Sequence, residues 1–327
     1  MYEIMTSDEA IRLIRDGDCI CVNSFVGIEN PVELHEALYR RYQKMQSPTH
    51  LTIVSSAGFG VWDTEHNAEG YIRDGAVDRL ICGHFGAMMS TKKLVLEDRF
   101  EAYNLPLGCI SHAIRAQAGG LSGALSKVGR ERFVDPGLEG PGIIRVSIDD
   151  SHVKHVGVDG DEFLYCKLPK ITIALVKGTA ADHKGNIAFD DMFMSGAALS
   201  ICQAVKANRG NVIVQVDRLV DTPSRPRNAI IPGCLVDAIV VAEPQERNEA
   251  YTALTGSFEI PYEEWHIWSE KIDQASEKML KDNTIGKIIG RRAAKELRVD
   301  DIVNIGIGIP EMVSRYARKN GMLDMVT

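Results

Sequence analysis

The sequence predicts an α/β protein: a mainly parallel sheet with flanking helices, followed by the start of a second, similar domain. Three observations carry this. The runs Leu51–Ser55, Arg79–Cys82, Ile171–Val176, Val212–Val216 and Ala238–Val241 are near-continuously apolar rather than alternating, as strands covered on both faces require. Helix-patterned segments separate them, which is the signature of crossover connections. Finally, a unit at 6–38 recurs in looser form at 284–318: amphipathic helix, acidic turn, short apolar strand, glycine loop, and a proline opening another helix.

Thr6 with Glu9 three residues on forms a capping box for the first helix, whose Ala10, Ile11 and Ile14 share a face until Gly17 stops it. Cys19–Asn23 is short and apolar, as a buried strand is. Gly27 and Asn30 lie in the loop that follows, and Pro31 suits the first turn of a helix carrying Leu34, Ala37 and Leu38. Gly119–Gly123 and Asp135–Gly142, rich in glycine and proline, are expected to be loops near the ligand. The stretch from Ile143 to Leu164 alternates and contains Asp159-Gly160, a hairpin signal. Gly178–Asn186 reads as a tight turn joining two strands, with Asp182 and Asn186 bonding their own backbone. Turn residues over 248–265 and a charged helical pattern over 270–281 place a boundary before the repeat resumes. The expected organisation is a first domain at 1–260, a linker at 261–283, and the incomplete beginning of a second domain at 284–327.

Composition narrows the functional class. A net charge of −8 over 327 residues argues against a nucleic-acid surface, and Arg40-Arg41 and Arg291-Arg292 read as solvated helix faces. No apolar run approaches the ~20 residues of a membrane span, and the N-terminus lacks a signal-peptide pattern. Seven cysteines without CxxC pairs read as reduced core residues, so the expected location is the cytoplasm. No metal-ligand pattern occurs; His152 and His155, three apart in a strand-like segment, point to opposite faces. His84 and His112 lie near glycines but read as packed rather than ligating. Ser24, Ser55 and Ser56 lack the nucleophile-elbow pattern.

What remains is two glycine corners. A strand that delivers a glycine loop to a helix start brings unpaired N–H groups and the positive end of the helix dipole together. Gly27 and Asn30 in the first copy, and Gly306 and Gly308 in the second, are therefore candidate oxyanion or substrate contacts. Gly306 and Gly308 lack the third glycine of a dinucleotide fingerprint, since Glu311 and Met312 follow Pro310. Glu29, a carboxylate within an anion corner, is expected to face solvent.

Taken together, Asp16-Gly17-Asp18, Gly27–Leu34, Glu101–Asn104, Ser126–Gly129, Phe133–Pro136, Gly178–Asn186, Cys202–Lys206, Ile289–Ala294 and Asn304–Pro310 form an ordered series. In this series the chain resembles the amino-terminal portion of family I CoA-transferases of the short-chain acyl (propionate/acetate) type. The resemblance implies ping-pong transfer of CoA between an acyl-CoA and a free carboxylate, through an acyl-glutamyl anhydride and a glutamyl-CoA thioester. It implies no cofactor beyond CoA as the thioester substrate, and a homo-oligomer or a complementary carboxy-terminal chain as partner. It also places the nucleophilic glutamate after Thr327, roughly four residues on, about one short strand's reach. Relatives commonly carry Pro-Gln-Gly where Pro106-Leu107-Gly108 stands, so the resemblance puts Leu107 and Gly108 at the acyl pocket and makes that pocket less polar. A non-catalytic binding fragment, or an enzyme of the sugar-phosphate isomerase architecture, are the alternatives.

Overall fold

The structure is a computed structural model and describes residues 2–25, 28–59, 69–86, 88–138, 152–190, 194–221, 229–243, 284–298, 301, 303, 305 and 309–319. The chain divides into two compact units, Met1–Thr255 and Gly256–Thr327.

The first unit opens with strand β1 (Glu3–Ile4) and helix α1 (Ser7–Ala10). The expected capping box is present: the Thr6 hydroxyl accepts from the Glu9 N–H, and the Glu9 carboxylate accepts from the Thr6 N–H. The helix is shorter than its apolar spacing suggests, because a 3-10 turn takes over at Ile11–Leu13. Arg41 makes that ending possible. Its guanidinium donates to the carbonyls of Ile11 (2.6 Å) and Ile14 (2.9 Å), while Arg40 pairs with Asp8 at 3.0 Å. The Arg40-Arg41 pair is thus half-buried structure and not a solvated face.

The chain then runs through β2 (Cys19–Val22), α2 (Val32–Met45), β3 (Leu51–Ser55), α3 (Gly70–Arg73), β4 (Val77–Cys82), α4 (Met89–Leu96), β5 (Glu101–Asn104) and α5 (Leu107–Ala118). A small antiparallel sheet follows, from β6 (Ala124–Ser126), β7 (Val153–Val158) and β8 (Asp161–Cys166). The β7–β8 turn is the expected Asp159-Gly160, with φ of 52° and 85°, the left-handed pair that a type I′ hairpin needs. The main sheet resumes with β9 (Ile173–Asp182), β10 (Ile187–Ala188), α6 (Ala198–Ala207), β11 (Asn211–Val220), β12 (Ala229–Ile231) and β13 (Ala238–Val241).

Among the described residues, the main sheet has the order β1-β13-β11-β9-β2-β3-β4-β5, and every pairing in that series is parallel. β10 and β12 pair antiparallel beyond it. Side chains alternate between two cores, as the strand period dictates. Cys19, Cys21, Val54, Ile81, Val176 and Val214 face α5 and α6, whereas Ile20, Val22, Ile53, Leu80, Leu175 and Ile213 face α1 to α4. On α2 the expected Leu34, Ala37 and Leu38 are all buried against the second core. Each fully buried leucine there contributes roughly 1.5–3 kcal/mol.

The second unit contains α7 (Thr284–Ala293) and α8 (Glu311–Lys319). The helices touch at Gly290, where an added Cβ would lie 2.3 Å from the Met312 Cβ. The repeat seen in the sequence has a local structural counterpart. The Asp18 carboxylate accepts from the Arg15 N–H at 2.7 Å, and the Asp301 carboxylate accepts from the Arg298 N–H at 2.8 Å. Each turn precedes the proposed strand of its copy, and Pro310, like Pro31, stands immediately before a helix. The second strand falls on 302–308, where 302, 304 and 306–308 lie outside the described residues.

Candidate active site

Strand order places the site. From β2 the chain crosses through α2 to β3 on one side, and from β9 it crosses through α6 to β11 on the other. β2 and β9 are neighbours, so their carboxyl ends flank a topological switch point, where open parallel sheets bind ligands.

One rim is the loop after β2. Phe25 and Ile28 exchange backbone hydrogen bonds at 3.0 Å in both directions, and Ser24 Oγ donates to the Ile28 carbonyl at 3.1 Å, closing a tight loop. Gly27 lies outside the described residues. Asn30 is 0% exposed; its Nδ2 donates to the Phe59 carbonyl at 2.9 Å and ties the loop to the segment that follows β3, while its Oδ1 is buried without a partner among the described residues. Glu29 overturns the expectation of solvent exposure: it is 5% exposed. Its carboxylate accepts from Asn23 Nδ2 at 2.9 Å and from the Met194 N–H at 3.1 Å. Burial raises its pKa to about 7, against the opposing pull of those two donors and of the Lys177 charge. A carboxylate in an anion corner is disfavoured only if it projects into it, and these bonds turn Glu29 inward.

Behind this rim is a set of buried polar groups that sequence reasoning missed. Lys177, 5% exposed, pairs with Asp217 at 3.6 Å. Gln215 accepts from the Glu33 N–H at 3.1 Å, and the Glu33 carboxylate accepts from the Glu243 N–H at 2.8 Å. The available signal was Lys177 itself, a lysine closing the apolar run Ile173–Val176, since lysine is almost never buried unless paired.

The other part of the carboxyl edge is formed by β3, β4 and β5. Leu107 is the first residue of α5 and 40% exposed; Gly108 follows with open space about its Cα. No side chain caps this helix, and its first turn bond runs from the Ile110 N–H to the Pro106 carbonyl, so N–H groups of the first turn stand beside an exposed apolar side chain. Leu107 packs toward Gly83, where any side chain is excluded: a Cβ would lie 2.0 Å from the Ser56 carbonyl oxygen and 3.4 Å from Leu107 Cγ. Asn104 Nδ2 holds the Cys82 and Gly83 carbonyls at 3.1 and 2.8 Å. His84 is half-buried beside this strand end and its pKa is lowered by desolvation, whereas His112 is exposed and meets Arg115 at 3.2 Å.

The remaining expectations divide. Of Gly178–Asn186, the first residues to Asp182 belong to β9 and the anticipated structural turn is Asp182–Asn186: Asp182 Oδ1 accepts from the Lys184 and Asn186 N–H groups, each at 2.8 Å, and Oδ2 from Asn186 Nδ2 at 2.9 Å. Gly185 there has φ +75° and sits against the Tyr2 ring, leaving no room for a Cβ. Gly119–Gly123 does not lie near the crevice. It follows α5, whose Gln117 bonds Pro169 and Ile171 at the entry to β9, the opposite end of the sheet. His152 and His155 take separate partners, the Lys167 carbonyl at 3.0 Å and Asp135 at 2.6 Å. Among the described residues, no cluster of three His, Cys, Asp or Glu could hold a metal ion. Gly306 and Gly308 lie outside the described residues.

The Coenzyme A transferase family model matches residues 4–242, more than half of the chain, and the chain belongs to that family. It is similar to Acetate CoA-transferase YdiF of Escherichia coli (strain K12), 32% identical over 323 residues, covering 98% of this chain and 59% of that protein. Caffeate CoA-transferase of Acetobacterium woodii is 30% identical over 328 residues, covering 100% of this chain and 61% of that protein. Among solved structures, Acyl-CoA transferase (YdiF) from E. coli O157:H7, in a thioester complex with CoA, superposes with a TM-score of 0.80 at 29% identity, covering 99% of this chain and 60% of that one. The chain thus spans about three-fifths of the length of these relatives.

Proposed function

We propose that the protein to which these residues belong transfers CoA between a short-chain acyl-CoA and a free carboxylate. The observation that carries this is the similarity to the CoA-bound YdiF structure along 99% of the chain. The chemistry fits the described edge of the sheet. A carboxylate is a weak nucleophile toward a thioester unless the carbonyl is polarised by fixed N–H donors. The first turn of α5 offers such donors, with Leu107 as an apolar wall for a short acyl chain.

In this proposal a glutamate attacks the thioester carbonyl and expels CoA thiolate, giving an acyl-glutamyl anhydride; the thiolate then attacks the glutamyl carbonyl, releasing the first carboxylate and leaving glutamyl-CoA, and a second carboxylate reverses the steps. The family resemblance puts that glutamate beyond Thr327. Gly27, Asn30, Gly306 and Gly308 complete the proposed set of substrate contacts with Leu107 and Gly108; Asn30, being buried, acts by shaping its loop. CoA enters as substrate and no separate cofactor is invoked. A homo-oligomer or a complementary carboxy-terminal chain is the proposed partner. All seven cysteines are free and six are buried, which supports a reducing compartment such as the cytoplasm. No helix among the described residues is long and apolar enough to cross a membrane.

The test is exchange of CoA from acetyl-CoA to propionate, with borohydride reduction or hydroxylamine cleavage of the enzyme's glutamyl-CoA thioester detected by mass as a modified glutamate. Turnover by the 327-residue chain alone would refute the placement of the glutamate. Absence of both exchange and a trapped adduct in the full-length protein would refute the transferase reading.

A further inference from the structure

The β2–β9 ladder ends early. Its last register pair is Val22 with Leu175, followed by one bond from the Asn23 N–H to the Leu175 carbonyl at 3.1 Å. β9 continues to Asp182 beside β11 and β10, while the chain leaving β2 turns into the glycine loop. Past Asn23 the sheet itself no longer sets the distance between the two rims of the crevice.

Side chains take over at that point. Asn23 reaches the segment that enters α6 twice, with Oδ1 accepting from the Ala197 N–H at 3.0 Å and Nδ2 approaching the Ser195 carbonyl at 3.4 Å. Gly196 allows the approach: it has φ +53°, and a Cβ there would lie 2.7 Å from Asn23 Oδ1. Glu29 closes the arrangement, since its two donors belong to opposite rims, Asn23 Nδ2 on one and the Met194 N–H on the other. Its own backbone is held at φ +59°, a conformation that glycine or asparagine adopts at lower cost. Both burial and backbone therefore act against a glutamate here, and its bond to Asn23 within the loop and its bond to Met194 across the rims offset them.

We propose that Glu29 is a positioning residue that fastens the glycine loop after β2 to the segment entering α6, and so fixes the width of the switch-point crevice. Because burial brings the carboxyl to about 7, this fastening responds to pH near neutrality. The ionised form accepts two charge-assisted bonds, and protonation removes the charge that strengthens them. Among the described residues, the charged group facing Glu29 is Lys177 on β9, itself paired with Asp217 on β11. From α2, Glu33 is committed to the Glu243 N–H, and the segment before α6 presents Met194, Ser195 and Ala197, none of which titrates. The crevice width matters for catalysis only under the transferase reading, but the fastening itself is a property of the fold.

The test is therefore made without substrate. Amide hydrogen exchange of Met194 and Ala197 is measured in the full-length protein at pH 6 and pH 8, corrected for intrinsic rates, for the native protein, Glu29→Gln and Glu29→Ala. A local opening that frees the Met194 N–H but leaves Glu29 buried removes a donor that holds the carboxyl's pKa down, so ionisation favours the closed bond, and in the native protein Met194 protection should rise several-fold, up to roughly tenfold, from pH 6 to pH 8. Glu29→Gln keeps the shape and one acceptor, so Met194 should stay partly protected with no pH response; in Glu29→Ala its protection should collapse. A pH response that survives in Glu29→Gln, or Met194 protection unchanged in Glu29→Ala, would overturn the proposal. If Glu29→Ala does not fold, Glu29→Gln decides alone.

Discussion

His35 should make this protein acid-sensitive by a calculable amount. It lies on α2 with 0% exposure. Its ring stacks between Phe59 and Tyr71, with centroids 5.0 and 5.8 Å away and interplanar angles of 8°, and Nδ1 meets the Tyr71 hydroxyl at 3.0 Å. Burial lowers its pKa to about 3, against ~6.5 in an unfolded chain. Between those values the unfolded state binds a proton that the native state refuses. The stability this neutral histidine secures is complete above pH 6.5 and is lost as pH falls toward 3. From pH 7.5 to pH 5 the loss is about 2 kcal/mol, from RT ln[(1 + 10^1.5)/(1 + 10^−1.0)]. Replacing His35 by Phe keeps an aromatic stack and removes the titration; it strands the Tyr71 hydroxyl at a roughly pH-independent cost of 1–3 kcal/mol. Urea midpoints by circular dichroism at both pH values, for His35→Phe and the native protein, give the difference of differences. It should favour the variant at pH 5 by about 2 kcal/mol. The opposite slope from Glu29, whose raised pKa costs stability as pH climbs toward 7, is common to both proteins and cancels. Parallel pH dependences would refute the buried, neutral histidine. The effect bears on the site, because Phe59 also accepts the Asn30 amide that shapes the glycine loop.

Three other outcomes are expected. Leu107→Gln should shift kcat/KM toward smaller or more polar carboxylates, by at most the ~0.8 kcal/mol that each buried methylene gains, about fourfold; an unchanged profile over acetyl-, propionyl- and butyryl-CoA would remove Leu107 from the acyl pocket. Asp182→Ala should cost roughly 1.5–3 kcal/mol in urea unfolding, because three N–H groups lose a charged acceptor; a cost below ~0.5 kcal/mol would show that water replaces it. Gly290→Val should destabilise the second unit by about 1–3 kcal/mol, since its Cβ cannot coexist with Met312, read as lost exchange protection over 284–293 with the first unit unaffected.

Family membership was legible because so many local patterns are local in cause. The capping box at Thr6 and Glu9, the Asp159-Gly160 hairpin and the Asp182 turn each need only residues a few positions apart, and each formed as read. Strand ends were less legible. β9 and β11 were expected to stop at Val176 and Val216, where apolarity lapses, yet they pair on to Asp182 and Val220. Backbone N–H and C=O groups pair irrespective of side-chain polarity, so a ladder continues wherever a partner strand remains alongside.

The sequence by itself determined the class of fold, the capped start of the first helix, the turns fixed by short-range bonds and the repeat, and its family resemblance singled out Leu107 for test. Tertiary structure alone decided that β2 and β9 are neighbours, a pairing across about 150 residues of chain, and with it where the crevice lies. It also decided the fate of Glu29 and Lys177. A carboxylate in a polar loop and a lysine at a strand end are each costly to bury alone. Their burial becomes possible when distant residues, Met194 for the one and Asp217 for the other, arrive within bonding distance. That compensation depends on three-dimensional proximity, which hydrophobic periodicity and turn chemistry do not encode.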